Sequence, residues 1–484
     1  MFMLSNLFQA SFLNYEAIVI QNPCLHSHRL DSRLGPPSAL PGYDYITCYD
    51  PATGVHLGIL PADPVEDIMR KVELAKRAQL EWSQSSFSDR RRVLRSLLAW
   101  LVREQEIFAR VACRDTGKTS VGSVLLICIH HGERALRPER RRSNLLLSYN
   151  TSVIHYEPLG VAAAITSWSY ALHNAFSPVI AAIFAGNAVV LKCFEYVVWS
   201  SRFYLGALRE CLYTCGWDPD IVQHAEALTT SPDIKHITFV GSTGGKDPAI
   251  ILRRTNIKKW SSVWMRGAFQ SMGQNYEFIA EMSERIRKLC VGFVLTTSPE
   301  GFISVVDGGS MINDSYTHFD GLKKVIQDAV AMGAHLVTGG PTLRHPYHES
   351  GSYFAPSLLG NVSSNMEIAQ SEVFAPIILA VDIANGTRYG LGASVFGPDQ
   401  QTCKGVTLAL ECGMVSVHDF DLPFGGIKAS GYGRFGGREG LRALTYTKAV
   451  IVDPFPLIAE TFQRRLIQSW EFMSGLVAFV RGDQ

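Results

Sequence analysis

Lys192 and Glu195 stand three residues apart, just past the apolar run AVVLK (188–192). An ammonium at that place can donate to sugar hydroxyls. A carboxylate can accept from them and would repel a phosphate carried on the same ring. The plainer alternative is a surface Lys–Glu pair. Gly241-Ser242 follows a second apolar run, HITFV (236–240), where backbone N–H groups can approach a pyrophosphate. A third position, Tyr276, ends the stretch FQSMGQNY (269–276). A phenol ionises near pH ~10, against ~8.5 for a thiol, so it holds little anion at neutral pH and attacks carbonyls poorly.

Other chemistry-bearing patterns fail on spacing. DTGKT (115–119) ends like a phosphate loop, but the earlier glycine it needs is Ala112. GSTGGK (241–246) is too short and runs into Asp247, and GYGRFG (431–436) follows no apolar strand. The 10 cysteines lack paired spacing, and Cys211 and Cys215 have no second pair to complete a zinc set. No metal site is expected, and the scatter suits a reducing cytosol, hence a cytoplasmic protein. A net charge of +1 argues against nucleic acid as partner. Local basic runs, Arg90–Arg92 and Arg137–Arg142, read as solvated faces or as a polyanion site.

These positions need elements to hold them. VAAAIT (161–166), a helix over 174–185, the strand 188–192, a helix over 199–215 and the strand 236–240 follow in order. Strand–helix–strand order with short turns predicts right-handed crossovers and a parallel, doubly wound sheet. Ligands then bind at the C-terminal strand ends, where Lys192 and Gly241-Ser242 lie. Upstream, DPATG (50–54) predicts a turn between two short strands. Residues 64–112 predict two amphipathic helices, the second capped at Ser88 or Asp89, with Val93, Leu94, Leu97, Leu98 and Leu101 on one face. Downstream, helices are expected over 277–290, 320–333 and 399–412, and strands over 334–340 and 413–417.

Near the end, Phe462, Leu466, Ile467, Trp470, Met473, Leu476, Val477 and Val480 share one helical face. That face docks on this protein or a second subunit, or lies on a membrane surface aided by Arg464, Arg465 and Arg481. No run approaches the ~20 apolar residues of a spanning helix. The first 20 residues lack the basic start of a signal peptide.

Several motifs in order resemble the aldehyde dehydrogenase superfamily. They are EPLGV (157–161), SW (167–168), AGNAVVLKCFE (185–195), FVGST (239–243), GGKDPAIIL (244–252), FQSMGQN (269–275), SEVFAPI (371–377), IANGTRYGLGASVFG (383–397) and LPFGGIKASGYGR (422–434). Together they run from about Asp50 to about Lys448. The chain is most similar to a fungal branch, to which ACRDTGKT (112–119) and GYGRFGGREGLRALTYTKA (431–449) also correspond. The resemblance implies an α/β fold with a doubly wound parallel-sheet cofactor domain, an α/β catalytic domain and a small oligomerisation hairpin. Mapped onto this chain, it implies a poorly ordered lead-in over 1–42 and a cofactor domain over 43–139 and 158–243. The hairpin falls over 140–157, a truncated catalytic domain over 244–450, and the amphipathic helix over 451–484. It further implies NAD rather than NADP as cofactor, an aldehyde substrate oxidised to a carboxylic acid, and a homo-oligomer. Ser167, Trp168, Lys192, Glu195, Gly241 and Ser242 would line the cofactor site, with Glu372 on the nicotinamide ribose and Phe374 beside it.

The family's chemistry needs a cysteine thiolate, a glutamate base and a side-chain amide. Here Tyr276 stands where the cysteine is expected, Thr243 where the base precedes Gly244-Gly245-Lys246, and Ser169 at the amide position. Asn174 lies too far along to fill the amide place without a shift. The helix expected between FVGST and Gly244 is absent, and YEFIAEMSERIRKL (276–289) resembles a helix that lies some way past the nucleophile. Similar junctions fall near Ile127–His131, Val381-Asp382 and Phe420/Asp421. Flanking motifs are intact each time, the pattern expected of coding segments dropped from a gene model or transcript, or of a decaying gene. Cys290 ends a helix and does not inherit the nucleophile's role. A lost helix covering ~400 Å² of apolar surface costs ~10 kcal/mol at ~25 cal/mol/Å². Whole domains are stable by only ~5–15 kcal/mol, so the chain is expected to fold poorly or around a remodelled sheet. Two functions follow: an NAD-dependent aldehyde dehydrogenase represented by an incomplete chain, or a non-catalytic relative that binds nucleotide or a partner.

Overall fold

Asp50 opens the turn that the sequence marks, and its carboxylate organises the first layer of the protein. β1 (Tyr45–Tyr49) and β2 (His56–Pro61) pair antiparallel across it. Asp50 Oδ1 accepts from Ala52 N at 2.8 Å, and Gly54 takes the left-handed φ of 71° that closes the loop. Asp50 is wholly buried and receives Arg114 Nη1 at 2.9 Å. Burial raises its pKa, while Arg114 opposes that rise. The structure is a computed structural model that describes residues 45–116, 132–142, 151–168, 171–225, 231–240, 249–251, 316–340, 353–371, 377–381, 388–418, 425–434 and 437–452, with a few isolated positions.

Three helices follow where two are expected: α1 (Val65–Trp82), α2 (Phe87–Arg103) and α3 (Gln105–Thr116). The helical path breaks at Glu104 (φ −105°, ψ 25°) before resuming. The cap of α2 is Ser86 rather than Ser88 or Asp89. Ser86 Oγ accepts from Asp89 N at 3.1 Å while the Asp89 carboxylate accepts from Ser86 N at 3.3 Å. Asp89 thus serves as the third residue of a capping box. Val93, Leu97 and Leu101 are buried, as the apolar stripe predicts.

The central sheet holds β5 (Val161–Thr166), β6 (Ala188–Lys192), β7 (Val222–His224) and β8 (Ile234–Val240), in the order β7-β6-β5-β8. Every pairing is parallel. α5 (Ala171–Phe184) links β5 to β6, and α6 (Val198–Thr214) links β6 to β7. α1 packs on β6 and β7, and α5 and α6 also cover these strands. β5 and β6 are almost wholly buried, which is why they read as unbroken apolar runs. α5 starts three residues before the expected 174 and carries Pro178 inside a fully buried stretch.

A polar clamp sets the turn between α5 and β6. Arg90 is buried and donates to Phe184 O and Ser83 O, both at 3.0 Å, and to Ser85 Oγ at 2.9 Å. Its guanidinium caps the carbonyl ends of two helices, where a cation is favoured. Burial brings its pKa down to about 10. Trp82 Nε1 donates to Ile183 O at 2.8 Å. Gly186 turns at φ 92°, and a Cβ there would lie 2.7 Å from Arg90 Nη2.

An antiparallel arm is built from α4 (Gly132–Leu136), β3 (Glu139–Arg142), β4 (Thr151–Pro158) and a late strand, β17 (Thr445–Val452). The hairpin expected over 140–157 therefore carries a third strand that crosses the expected boundary at 450. Glu139 pairs with Arg141, Arg438 and Arg442, and Glu133 with Arg91 and Arg137. The basic run around 137–142 is thereby partly neutralised.

The second half continues the alternation. β9 (Ala249–Ile251), β14 (Gly392–Phe396) and β15 (Met414–Val417) form a parallel sheet. β10 (His335–Gly340), β11 (Ala355–Val362) and β12 (Ile377–Val381) form a mixed one. α7 (Tyr316–Ala331) and α8 (Glu367–Gln370) pack a separate core around Leu322, Ile326, Phe354, Leu359 and Ile368. β13 (Tyr389–Gly390) pairs with β16 (Ile427–Lys428), and α10 (Gly437–Arg442) precedes β17. α9 (Gln400–Thr407) stops well before the expected 412, at Gly405-Val406-Thr407, three poor helix formers. Tyr353 Oη donates to Ala52 O at 3.1 Å, tying this half to the first turn. The helices expected at 277–290 and 462–480 lie outside the described residues, Val477 excepted.

Candidate functional site

Strand order locates the crevice. The chain moves outward from β5 to β6 to β7 and then returns to β8 on the other side of β5. Open α/β sheets bind ligands where the order reverses, outside the C-terminal strand ends. That point lies between β5 and β8.

Register then decides which side chains reach that edge. Ile165 is opposite Lys192, and Thr166 is opposite Val240. Ser167-Trp168, Lys192 and the residue after Val240 therefore leave the sheet along one edge. Adjacent strands lie about 4.8 Å apart. Ser167 is fixed from α5: Asn174 Nδ2 donates to Ser167 O at 3.0 Å and to Ser167 Oγ at 2.9 Å. Asn174 is 5% exposed. Its amide thus positions the loop after β5, a role that the sequence did not suggest. Trp168 is half-buried against the core.

Lys192 is half-buried at the end of β6, with Nζ 5.8 Å from the Phe194 ring centroid. Phe194 packs edge-on to Tyr196 at 5.0 Å. Glu195 is exposed and opens the single 3-10 turn Glu195–Val197. Phe194 stands between the ammonium and the carboxylate along the chain. The two sit at one end of the sheet.

Beneath Lys192 lies a contact that sequence reading missed. Cys193 Sγ and His224 Nε2 are 3.1 Å apart, joining the ends of β6 and β7. Burial, then the cations Arg202, Lys71 and Lys192, pull the His224 pKa down to about 3. The ring is neutral at physiological pH, so no thiolate–imidazolium pair forms. The only sequence signal was the apolar pair Ile221-Val222 before Gln223-His224, too short to mark a strand.

Ser169, Gly241, Ser242, Thr243, Tyr276, Cys290, Glu372 and Phe374 lie outside the described residues. Of the residues expected at the cofactor site, the structure brings together Ser167, Trp168, Lys192 and Glu195. These residues suit a dinucleotide: a cation and an anion for sugar hydroxyls, at a switch-point edge held by buried hydrogen bonds.

A doubly wound parallel sheet with a crevice at its reversal point, joined to further α/β sheets and an antiparallel arm, defines an α/β protein of dinucleotide-binding architecture. The aldehyde dehydrogenase family profile matches residues 41–244 and 243–450, and the chain belongs to that family. A putative aldehyde dehydrogenase-like protein of Schizosaccharomyces pombe is 39% identical over 511 positions, covering 90% of this chain and 96% of its own. One of Saccharomyces cerevisiae is also 39% identical, covering 90% of this chain and 80% of its own. The fold is similar to that of an aldehyde dehydrogenase of Mycobacterium tuberculosis complexed with NAD+. That likeness has a TM-score of 0.73 at 22% identity and covers 86% of this chain and 95% of the other.

Two details bear on the junctions. The family match comes in two pieces that meet at 243–244. In the fission-yeast comparison, 90% of 484 residues is about 436, so about 75 of the 511 aligned positions are met by no residue of this chain. Among the described residues, no helix is long and apolar enough to cross a membrane.

Proposed function

We propose that this chain is a nicotinamide-nucleotide-binding member of its family that lacks, as written, the groups for aldehyde oxidation. The observation that carries the first part is the pairing of Ile165 with Lys192, which sets Lys192 and Ser167-Trp168 on one edge at the switch point. Lys192 would donate to ribose hydroxyls and Glu195 would accept from them. The Glu195 carboxylate would repel a 2′-phosphate and so favour NAD over NADP. Gly241-Ser242 would meet the pyrophosphate, and Glu372 and Phe374 the nicotinamide end. The NAD named for the Mycobacterium tuberculosis structure supports the same cofactor here. When bound, NAD supplies a hydride acceptor for an aldehyde.

The second part rests on the order of motifs. Gly273-Gln274-Asn275 runs into Tyr276, and Thr243 runs into Gly244-Gly245-Lys246. A nucleophile and a base would stand in the segments between. The split family match and the roughly 75 unmatched positions support the loss of such segments. A longer product of the same locus would then be the NAD-dependent aldehyde dehydrogenase. The antiparallel arm β3-β4-β17 would join subunits, giving a homo-oligomer. The C-terminal apolar face would dock on a subunit or rest on a membrane surface.

Calorimetric titration of the purified chain with NAD and with NADP tests the nucleotide reading. NAD is expected to bind more tightly, and Lys192→Ala to weaken it about tenfold or more, as for loss of a charge-assisted hydrogen bond. Absence of NAD binding contradicts the reading. Reading the transcript across Asn275/Tyr276 and Thr243/Gly244 tests the seams; uninterrupted exons with no spare segment contradict the longer product.

A further inference from the structure

The last turn of α6 carries two thiols on one face. Cys215 N donates to Cys211 O at 3.1 Å, so the helical register of α6 reaches Cys215, its capping residue. Residues four apart on a helix lie one above the other, with Cβ atoms about 5–6 Å apart. Cys215 Sγ lies 3.7 Å from Ser96 Oγ, so this thiol faces α2. Cys211 is 6% exposed, and Cys215 is half-buried. Burial, then Cys215 and Glu210, push the Cys211 thiol up to about 12. Neither thiol belongs to the nucleotide edge. α6 runs from the end of β6 back to the start of β7, and these strands are parallel. Its last turn therefore lies at the opposite end of the sheet from Lys192.

We infer that Cys211 and Cys215 form a dithiol site for trivalent arsenic, as arsenite or an organoarsenical. Spacing selects a bridging atom over a direct bond. A disulfide needs Cβ atoms about 3.8 Å apart, closer than the about 5–6 Å of this pair. One atom between the sulfurs makes up the difference. Coordination selects that atom. Zinc takes four protein ligands in a closed site. Among the described residues, no group of three His, Cys, Asp or Glu is placed to hold a metal ion. Trivalent arsenic is soft and prefers sulfur, and it needs only two protein sulfurs when its remaining bond stays with carbon or hydroxyl. The reaction balances without an oxidant. Each thiol loses its proton as its sulfur bonds to arsenic. The oxygen of an arsine oxide takes both protons and leaves as water, and arsenic remains trivalent. The high pKa of Cys211 is no bar, because the departing oxygen takes its proton. There is also room at the turn. Gly216 follows at a left-handed φ of 83°, and among the described residues nothing lies within 4 Å of where its Cβ would stand.

The test uses the full, reduced 484-residue chain and phenylarsine oxide as the probe. Intact-mass spectrometry is expected to show an adduct that survives excess glutathione, a monothiol, and is released by dimercaptopropanol, a dithiol. Alkylation of the denatured adduct with N-ethylmaleimide is expected to spare Cys211 and Cys215 and to label the other cysteines. That readout needs no variant, so it stands whether or not a variant folds. Cys211→Ser and Cys215→Ser are each expected to weaken binding about hundredfold or more, as loss of the second, intramolecular bond does. No glutathione-resistant adduct, or one that maps to other cysteines, overturns the proposal. So does an adduct that persists undiminished in both variants.

Discussion

His224 shows how one buried ring shapes the sheet edge beside Lys192. Its folded pKa of about 3 lies below the ordinary value of 6.5, so the unfolded chain takes up the proton first. The neutral ring's contribution is complete above about pH 6.5 and is lost as pH falls from there toward about 3, by about 1.4 kcal/mol per pH unit. Chemical denaturation at stepped pH is expected to show this slope, and His224→Gln to flatten it. An unchanged slope would mean that His224 is not the titrating group. Lys192 was legible because its strand is a clean apolar run with a polar end. His224 was not, because β7 is three residues long and part of its cover comes from α1, which lies far away in sequence. The bond from Asn174 to Ser167 was missed for a related reason. The distance of Asn174 along the chain from Ser167 counts as one turn of α5 in space, and the helix starts early enough to aim its amide at the loop.

At the scale of elements, Arg90 binds together α1, α2 and α5. It has no carboxylate partner among its described contacts and relies on two carbonyls and a hydroxyl. Arg90→Lys keeps the charge but cannot span all three acceptors, so it is expected to cost about 2–4 kcal/mol, read by urea denaturation. Gly186→Ala is expected to be destabilising too, since the added methyl meets that guanidinium at a left-handed φ. Element types were legible where periodicity ran long, as in α1, α2, β5 and β6. Ends were less so. Ser86 won the cap over Ser88 because Asp89 closes the reciprocal bond, and α9 stopped at Gly405-Val406-Thr407 despite a longer polar–apolar pattern. β8 still pairs parallel with β5, with one register shift between Val161 and Ala162. Ile237 and Phe239 on that strand are exposed.

At the scale of the whole molecule, the described sheets draw on both parts of the family match, 41–244 and 243–450. Motif order made the family and its fold legible, because each motif marks a turn or strand end that the fold needs. The binding edge was legible, but the reversal point between β5 and β8 was not, because strand order is a long-range fact. The return of the chain from β7 to β8 across β5 fixes it. The antiparallel arm hid for the same reason: β17 joins β4 from nearly 300 residues away, pairing Thr445 with Pro158. The same distance explains Tyr353, which holds the first turn through Ala52 O. Tyr353→Phe removes that one bond and is expected to lower stability by about 1 kcal/mol in thermal or urea melts.

The central claim is that nucleotide recognition persists in a chain that lacks the reacting groups. Aldehyde-dependent NADH absorbance from the purified chain at saturating NAD tests it most directly. The account predicts no rate above that of the protein-free mixture. Turnover that is abolished by changing Tyr276 or Cys290 would contradict it.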